Sequence, residues 1–184
     1  MLEVGAGRGE LAADLRRRGY EVHAIDPGPS APGVERVALR ELRAAPASFD
    51  AAVAVLSLHH VKPLTPSLAR LAEVVRTDGV LVVDEFDVGA FDERAAEWLL
   101  AHRRAAGHGT DEAPPDLVSE LRDHLHPLAR LIDGLSAGFA LDPPVRGAHL
   151  HRWELPPGLE EEERALIAAG GLPATGACMR GRRR

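Results

Sequence analysis

The first half of the chain alternates between short apolar runs and segments with apolar residues at helical spacing. The runs at residues 49–58 and 80–86 are almost uninterrupted, which is typical of strands covered on both faces. Leu11 and Leu15 lie four residues apart before Gly19, and this spacing predicts a short helix. The pattern predicts strands at residues 1–4, 20–26, 49–58 and 80–86, and helices in the stretch RGELAADLRRRGY and at residues 65–79.

This alternation predicts the fold class. A strand, a glycine turn, a helix and a second strand form a βαβ unit, in which the strands are parallel and the crossover is right-handed. Repeated units with fully apolar strands indicate a doubly wound α/β sheet. The pattern is weakest at residues 34–48, where ERVALREL predicts a short strand.

The second half of the chain has a different pattern. Its predicted elements are a helix at residues 91–107, a helix at 116–136 broken near Pro127, two strands in GFALDPPVRG and AHLHRWEL joined by a proline turn, and an acidic helix at 158–171. No internal repeat or low-complexity linker interrupts the sequence. We therefore predict one domain over residues 1–184.

Composition and charge narrow the class of protein. A net charge of -6 argues against a protein that binds nucleic acid through a basic face. The C-terminal run MRGRRR is predicted to be a solvated tail, and the single cysteine, Cys178, a buried thiol. One cysteine excludes an intrachain disulfide and favours a reducing compartment. Because no stretch reads as a membrane span or signal peptide, we expect a cytoplasmic protein with no membrane or nucleic-acid partner.

The glycine turn GAGRG at residues 5–9 carries the first chemical signal. Glycines lack a Cβ, so the backbone N–H groups of such a turn approach a ligand closely. The dinucleotide pattern GxGxxG requires a glycine at position 10, but this residue is Glu10. Two carboxylates accompany the turn: Glu3 lies in the predicted strand before it, and Asp26 ends the next predicted strand. The pattern therefore argues against a nicotinamide or flavin dinucleotide.

Three stretches together resemble class I S-adenosylmethionine (SAM) dependent methyltransferases of the small-molecule type. LEVGAGRGELAADLRRRGYEVHAIDP resembles their first motif, FDAAVAVLSLHHV their fourth-strand motif, and RLAEVVRTDGVLVVDEF their helix, turn and fifth strand. The resemblance implies a mostly parallel, Rossmann-like sheet with helices on both faces and an antiparallel C-terminal strand. It also implies SAM as the methyl donor and S-adenosylhomocysteine as the product.

The resemblance further implies how SAM is held. The glycines would pass beneath its methionyl and ribose parts, and Glu3 would hold its amino group. Asp26 would accept hydrogen bonds from both ribose hydroxyls, as acids do in dinucleotide folds. Backbone groups at the end of the fourth strand would contact the cofactor, and Glu41 or a group near Leu42 would contact adenine. The implied cofactor-binding residues are Glu3, Gly5, Gly7, Gly9, Asp26, Glu41, Leu42, Leu56 and Ser57.

His59 and His60 follow the fourth strand, where the resemblance places residues that face the methyl acceptor. A methyltransferase needs a base only when the acceptor loses a proton. Either histidine is a candidate catalytic base, and packing in the following turn is the alternative. His149, His151 and Trp153 alternate and would share one strand face, as an acceptor wall or as packing. No ligand spacing predicts a metal.

The resemblance divides the chain into a SAM-binding half, residues 1–90, and acceptor-side helices and strands, residues 91–184. DNA and rRNA methylases usually carry an N/DPP motif after the fourth strand; LSLHHV stands there instead, which favours a small-molecule acceptor. The alternatives are a non-catalytic or truncated SAM-binding homologue that acts as an interaction protein, and, less favoured, an NAD(P)-dependent oxidoreductase. We expect the helices that normally precede the first strand to lie upstream or to be missing. The sequence leaves the acceptor and the oligomeric state open, a homodimer included.

Overall fold

The computed structural model describes residues 1–28, 30–108, 111–153 and 155–184. The chain divides into two compact units. The larger unit comprises Met1–Glu85, Arg130–Pro144 and Cys178–Arg184, and the smaller comprises Phe86–Ala129 and Val145–Ala177. The single domain predicted over residues 1–184 stays a prediction.

The described residues form eight strands of one sheet. They are β1 (Leu2–Val4), β2 (His23–Asp26), β3 (Val34–Arg36), β4 (Phe49–Val55), β5 (Val75–Phe86), β6 (Phe139–Leu141), β7 (Val145–Gly147) and β8 (Gly176–Arg183). The strand order is β3-β2-β1-β4-β5-β8-β6, with β7 paired to β8. Pairs among the first five strands are parallel, whereas β6 and β8 are antiparallel. The predicted mostly parallel, Rossmann-like sheet with an antiparallel C-terminal strand is confirmed.

Six helices accompany these strands within the described ranges. They are α1 (Glu10–Arg17), α2 (Leu64–Val74), α3 (Glu93–Ala105), α4 (Pro114–His124), α5 (Leu128–Ser136) and α6 (Leu159–Ala168). The predicted break near Pro127 is confirmed, because α4 ends at His124 and α5 begins at Leu128. No helix in the described part of the chain is both long and apolar enough to cross a membrane.

In the larger unit, β1 lies between β2 and β4, and the direction of strand succession reverses there. All three residues of β1 are buried. Small side chains let α1 pack closely against the sheet, since Ala6, Ala12 and Ala24 form one buried cluster. A reversal of strand order opens a crevice at the carboxyl ends of the strands, where open α/β sheets bind ligands.

The smaller unit is mainly helical. Asp92 caps α3 by accepting a hydrogen bond from the backbone N of Ala95 at 3.1 Å, and proline begins α4. Its fully buried side chains include Phe86, Phe91, Leu99, Leu100, Leu128 and Leu150. β7 pairs with β8, whose first two residues belong to this unit.

The boundary between α2 and β5 differs from the prediction. The helix ends at Val74 and the strand begins at Val75, although residues 65–79 were expected to be helical. Val75 already pairs with Phe49 of β4, and Asp78 has a φ of 60°, outside the helical region. Pairing with β4 therefore outweighs the helical periodicity over these five residues.

Three predictions for the C-terminal third are wrong. AHLHRWEL holds a 3₁₀ turn, Leu150–Arg152, rather than a strand, while GFALDPPVRG contains both β6 and β7. Residues 179–183 of the basic run MRGRRR belong to β8 rather than to a solvated tail. Cys178 is exposed rather than buried, because buried and exposed residues alternate along β8 and Cys178 falls on the exposed face.

Candidate cofactor site

A cavity of about 530 Å³ lies in the larger unit, beside the carboxyl ends of β1, β2 and β4. It has the size of a small-molecule or cofactor site. The predicted site residues that line it are Gly5, Gly7, Asp26, Leu56, Ser57 and His60. Residues far apart in sequence therefore meet at the crevice predicted by the strand order.

The glycine turn forms one wall of the cavity through left-handed backbone. Gly5 and Gly7 have φ of +73° and +53°, which L-residues with side chains rarely adopt. A Cβ on Gly5 would lie 2.2 Å from the Cβ of Ser57, so the segments that follow β1 and β4 meet closely there. A Cβ on Gly7 would meet no protein atom within 4 Å and would occupy open space at the wall. Gly9 is the N-cap of α1 and does not line the cavity.

Asp26 ends β2 with its carboxylate fixed by two backbone donors. Oδ2 accepts from the backbone N of Gly7 at 2.8 Å, and Oδ1 accepts from that of Gly28 at 2.7 Å. Each carboxylate oxygen has a second lone pair, so the group can still accept from a ligand in the cavity. The aspartate thus joins the glycine turn to the end of β2 and presents acceptors at a defined place.

Glu3 lies beneath the glycine turn, in an adjoining pocket of about 230 Å³ that Gly5 and Arg8 also line. Its side chain belongs to a residue only 4% exposed, and Oε2 has no hydrogen-bond partner among the described residues. Burial in this setting raises the pKa of Glu3, although the charge of Arg16 opposes the shift. A buried acceptor without a donor is costly, and a cationic ligand group would satisfy it.

The segment that follows β4 lines the cavity beside the glycine turn. Leu56 has a φ of 51° and donates its backbone N–H to the carbonyl of Asp84 at 2.8 Å. The hydroxyl of Ser57 donates to the carbonyl of Val4 at 2.8 Å. These two contacts fix the segment against its neighbours β5 and β1, so its position does not depend on a ligand.

The two adjacent histidines have different environments. His59 is 5% exposed and its Nδ1 contacts the carboxylate of Glu85, whereas His60 lines the cavity. Their ring centroids are 4.2 Å apart. Partial burial, followed by the neighbouring His59, holds the pKa of His60 below its usual value of 6.5, so its imidazole is neutral at physiological pH. Of the two candidate bases, the structure brings only His60 to the cavity.

The comparison with protein families identifies the class. A model described as a methyltransferase domain matches residues 1–131. The chain belongs to this methyltransferase family. The family predicted from the three sequence motifs is thereby confirmed. No curated protein sequence matches the chain.

Solved structures resemble the methyltransferase in fold. The 1,6-didemethyltoxoflavin-N1-methyltransferase of Burkholderia thailandensis, with bound 1,6-didemethyltoxoflavin and S-adenosylhomocysteine, matches with a TM-score of 0.58 and 20% identity over 99% of this chain and 69% of its own. The S-adenosylmethionine dependent methyltransferase of Mesorhizobium loti matches with a TM-score of 0.62 and 16% identity over 100% of this chain and 90% of its own. At these identities the likeness concerns the fold alone.

The structure does not bring Glu41 or Leu42 of the methyltransferase to the cavity. Glu41 is exposed and pairs with Arg40 at 2.8 Å, while Leu42 is 2% exposed. The segment that does line the cavity after β3 is residues 37–39. The 3₁₀ turn Leu39–Glu41 explains the shift, because it turns the chain away before residue 41 is reached.

Sequence reasoning missed Glu85, the buried partner of His59. Its side chain is fully buried and accepts hydrogen bonds from the segment that follows β4. The sequence VVDEF does not show which of its two acids is buried. Asp84 and Glu85 are neighbours in a strand and point to opposite faces, and only the packing of the sheet decides which face is buried.

Proposed function

We propose that this methyltransferase transfers a methyl group from SAM to a small-molecule acceptor, with the 530 Å³ cavity as the cofactor site. The observation that carries the proposal is the carboxylate of Asp26, which two backbone donors hold at the tip of β2 with acceptor capacity toward the cavity. Such an acid suits the two ribose hydroxyls of an adenosyl group. SAM supplies a methyl group already activated by its sulfonium, so the protein contributes mainly alignment.

The residues present fit SAM at two further points. The buried Oε2 of Glu3, which has no hydrogen-bond partner among the described residues, would accept from the ammonium of the methionyl part. Gly7 leaves open space where a side chain would otherwise stand, so its backbone can approach the cofactor. We assign the adenine side to residues 37–39 rather than to Glu41 and Leu42, since that segment lines the cavity.

We assign His60, and not His59, as the residue available to a methyl acceptor. Its lowered pKa leaves the imidazole neutral near pH 7, so it can accept a proton from an acceptor that must lose one. His59 is buried against Glu85 and would act only through the turn that it shares with His60.

A small-molecule acceptor is supported by the absence of an N/DPP motif after β4, where the sequence reads LSLHHV. The Burkholderia relative, whose name describes methylation of 1,6-didemethyltoxoflavin, is in line with this class. The cytoplasmic location, the absence of nucleic-acid and membrane partners, and the open oligomeric state, a homodimer included, remain predictions from the sequence.

Isothermal titration calorimetry of SAM and S-adenosylhomocysteine against the wild type and Asp26→Ala tests the proposal. We expect Asp26→Ala to weaken binding by about tenfold or more, because the ribose loses its acceptors and the glycine turn its anchor. Asp50→Ala is the matched control: Asp50 is an exposed aspartate of β4 that pairs with Arg76 instead.

Two results would contradict the proposal. A folded wild type that binds neither compound excludes SAM as the cofactor, and binding of NAD in its place revives the oxidoreductase alternative. If SAM binds but no methyl group is transferred to any of a panel of hydroxyl, amine and thiol acceptors, the result favours the alternative of a non-catalytic SAM-binding protein.

A further inference from the structure

Glu85 stands near the end of β5 with no exposed surface, and its carboxylate collects three donors from one short segment. Oε1 accepts from the backbone N of Ser57 at 3.0 Å and from that of Leu58 at 2.6 Å. Oε2 contacts Nδ1 of His59. Since a carboxylate oxygen only accepts, Nδ1 of His59 is the donor.

These three donors belong to the beginning of the 3₁₀ turn Leu58–His60. The first backbone N–H groups of a turn or helix have no partner within it, so an external acceptor sets where the turn begins. With the turn held in this way, the imidazole of His59 lies inside and the next residue, His60, reaches the cavity. The backbone of Ser57, which also lines the cavity, is fixed by the same carboxylate.

We propose that Glu85 is a positioning residue of the cofactor site: its buried carboxylate holds residues 57–59 so that Ser57 and His60, but not His59, face the cavity. The proposal rests on the proposed SAM site for its functional meaning. Glu85 does not line the cavity, and its effect on the cofactor passes through the turn.

The chain contains a second buried glutamate in the same kind of arrangement. Glu163 of α6 has no exposed surface and accepts from the backbone N of His149 at 2.7 Å and of Leu150 at 2.9 Å. It also contacts Nδ1 of His151 at 2.8 Å, beside the 3₁₀ turn Leu150–Arg152. Both glutamates thus hold the start of a Leu-His turn, but Glu163 belongs to the smaller unit and does not line the cavity. It offers a matched control.

The test compares Glu85→Ala and Glu85→Gln with Glu163→Ala in the full chain. Both alanine variants leave buried N–H groups without an acceptor, so both are expected to lower the melting temperature. Only Glu85→Ala is expected to raise the Kd of S-adenosylhomocysteine, by about tenfold, in calorimetric titration. Glu85→Gln keeps an oxygen acceptor for Ser57 and Leu58, and we expect it to recover most of the affinity and to remain folded if the alanine variant does not.

A second readout does not depend on the cofactor. Diethyl pyrocarbonate modifies accessible neutral imidazoles, and mass spectrometry locates the adducts. In the wild type and in Glu163→Ala we expect His60 to react and His59, which is 5% exposed, to be protected. In Glu85→Ala the released turn should make His59 reactive at a comparable rate to His60.

Two outcomes overturn the proposal: an unchanged Kd together with a protected His59 in Glu85→Ala, or an equal loss of affinity in Glu163→Ala at a matched loss of melting temperature. If the wild type does not bind S-adenosylhomocysteine at all, the proposed SAM site is contradicted. The labelling of His59 then still decides whether Glu85 sets the facing of the two histidines.

Discussion

At the scale of single residues, Glu3 is expected to lower the stability of the free protein and to contribute to binding of the cofactor. It is 4% exposed, and the desolvation of its carboxylate raises its pKa above the usual 4.5. The folded state therefore binds a proton more readily than the unfolded state. As the pH rises through the interval between the unfolded and the folded pKa, the free energy of unfolding falls. Near neutral pH, the ionised carboxylate thus destabilises the free protein.

Glu3→Gln should separate these two effects. We expect the free variant to be more stable than the wild type near neutral pH, because the amide carries no charge to desolvate, and to lose this advantage at mildly acidic pH. Its affinity for S-adenosylhomocysteine should fall by about fivefold, since a neutral amide attracts an ammonium less. Urea denaturation at the two pH values and calorimetry measure these changes. Glu21→Gln, at an exposed position, is the control, and a free variant less stable than the wild type would contradict the account.

The sequence could name His59 and His60 as candidates but could not choose between them. In a strand, neighbouring residues point to opposite faces, whereas in a turn the direction depends on where the turn begins. That beginning is set by Glu85, which lies 26 residues after His59 in sequence. The position of Asp26 at the cavity was predictable because a single local rule, the end of a strand after a glycine turn, gives it.

At the scale of elements, the glycine turn allows a paired test of packing against binding. Gly5→Ala would put a Cβ 2.2 Å from that of Ser57, so we expect a loss of several degrees in melting temperature and of binding. Gly7→Ala adds a Cβ in open space at the cavity wall and carries a strain of about 1–2 kcal/mol from its positive φ. We therefore expect Gly7→Ala to remain folded and to bind S-adenosylhomocysteine at least about tenfold more weakly.

Thermal denaturation and calorimetry on the two variants decide between these roles. If Gly7→Ala binds as the wild type does, the cofactor does not approach the turn at that point. If Gly5→Ala is as stable as Gly7→Ala, the close contact between the glycine turn and Ser57 does not restrict the side chain at position 5. Gly107→Ala, with a φ of +82° and no neighbour within 4 Å, controls for backbone strain away from the cavity.

Apart from the boundary between α2 and β5, the main elements of the first half could be predicted because their strands are apolar and their helices periodic. The strand β8 could not, since its arginines indicated a solvated tail. Yet Ala177, Met179 and Gly181 are buried at every second position, with exposed residues between them. Arg183 is held within the larger unit, where its Nη1 donates to the carbonyl of Gly138 at 3.2 Å. The alternation with a period of two indicates a strand, but the high charge of the segment argued against one. Arginine is compatible with a strand because its aliphatic stem can lie along a sheet while its guanidinium stays in water.

At the scale of the whole molecule, the fold could be predicted because local patterns agreed with one another over the first half of the chain. The division into two compact units could not, since it depends on which distant segments pack together. Every residue that lines the cavity belongs to the segment Met1–Glu85 of the larger unit. A ligand in the cavity therefore stabilises that unit directly.

Thermal unfolding with and without S-adenosylhomocysteine tests the cofactor and the single-domain prediction together. At about 100 times its Kd, a ligand adds about 2.7 kcal/mol to the free energy of unfolding. For a chain of this length, that corresponds to a rise of about 5–10 °C in melting temperature. If the chain is one domain, a single calorimetric transition shifts as a whole; if the two units unfold independently, only the transition of the larger unit moves. Asp26→Ala at the same concentration of S-adenosylhomocysteine should show a much smaller shift, and NAD should show none. A rise with NAD equal to that with S-adenosylhomocysteine would contradict the proposed cofactor.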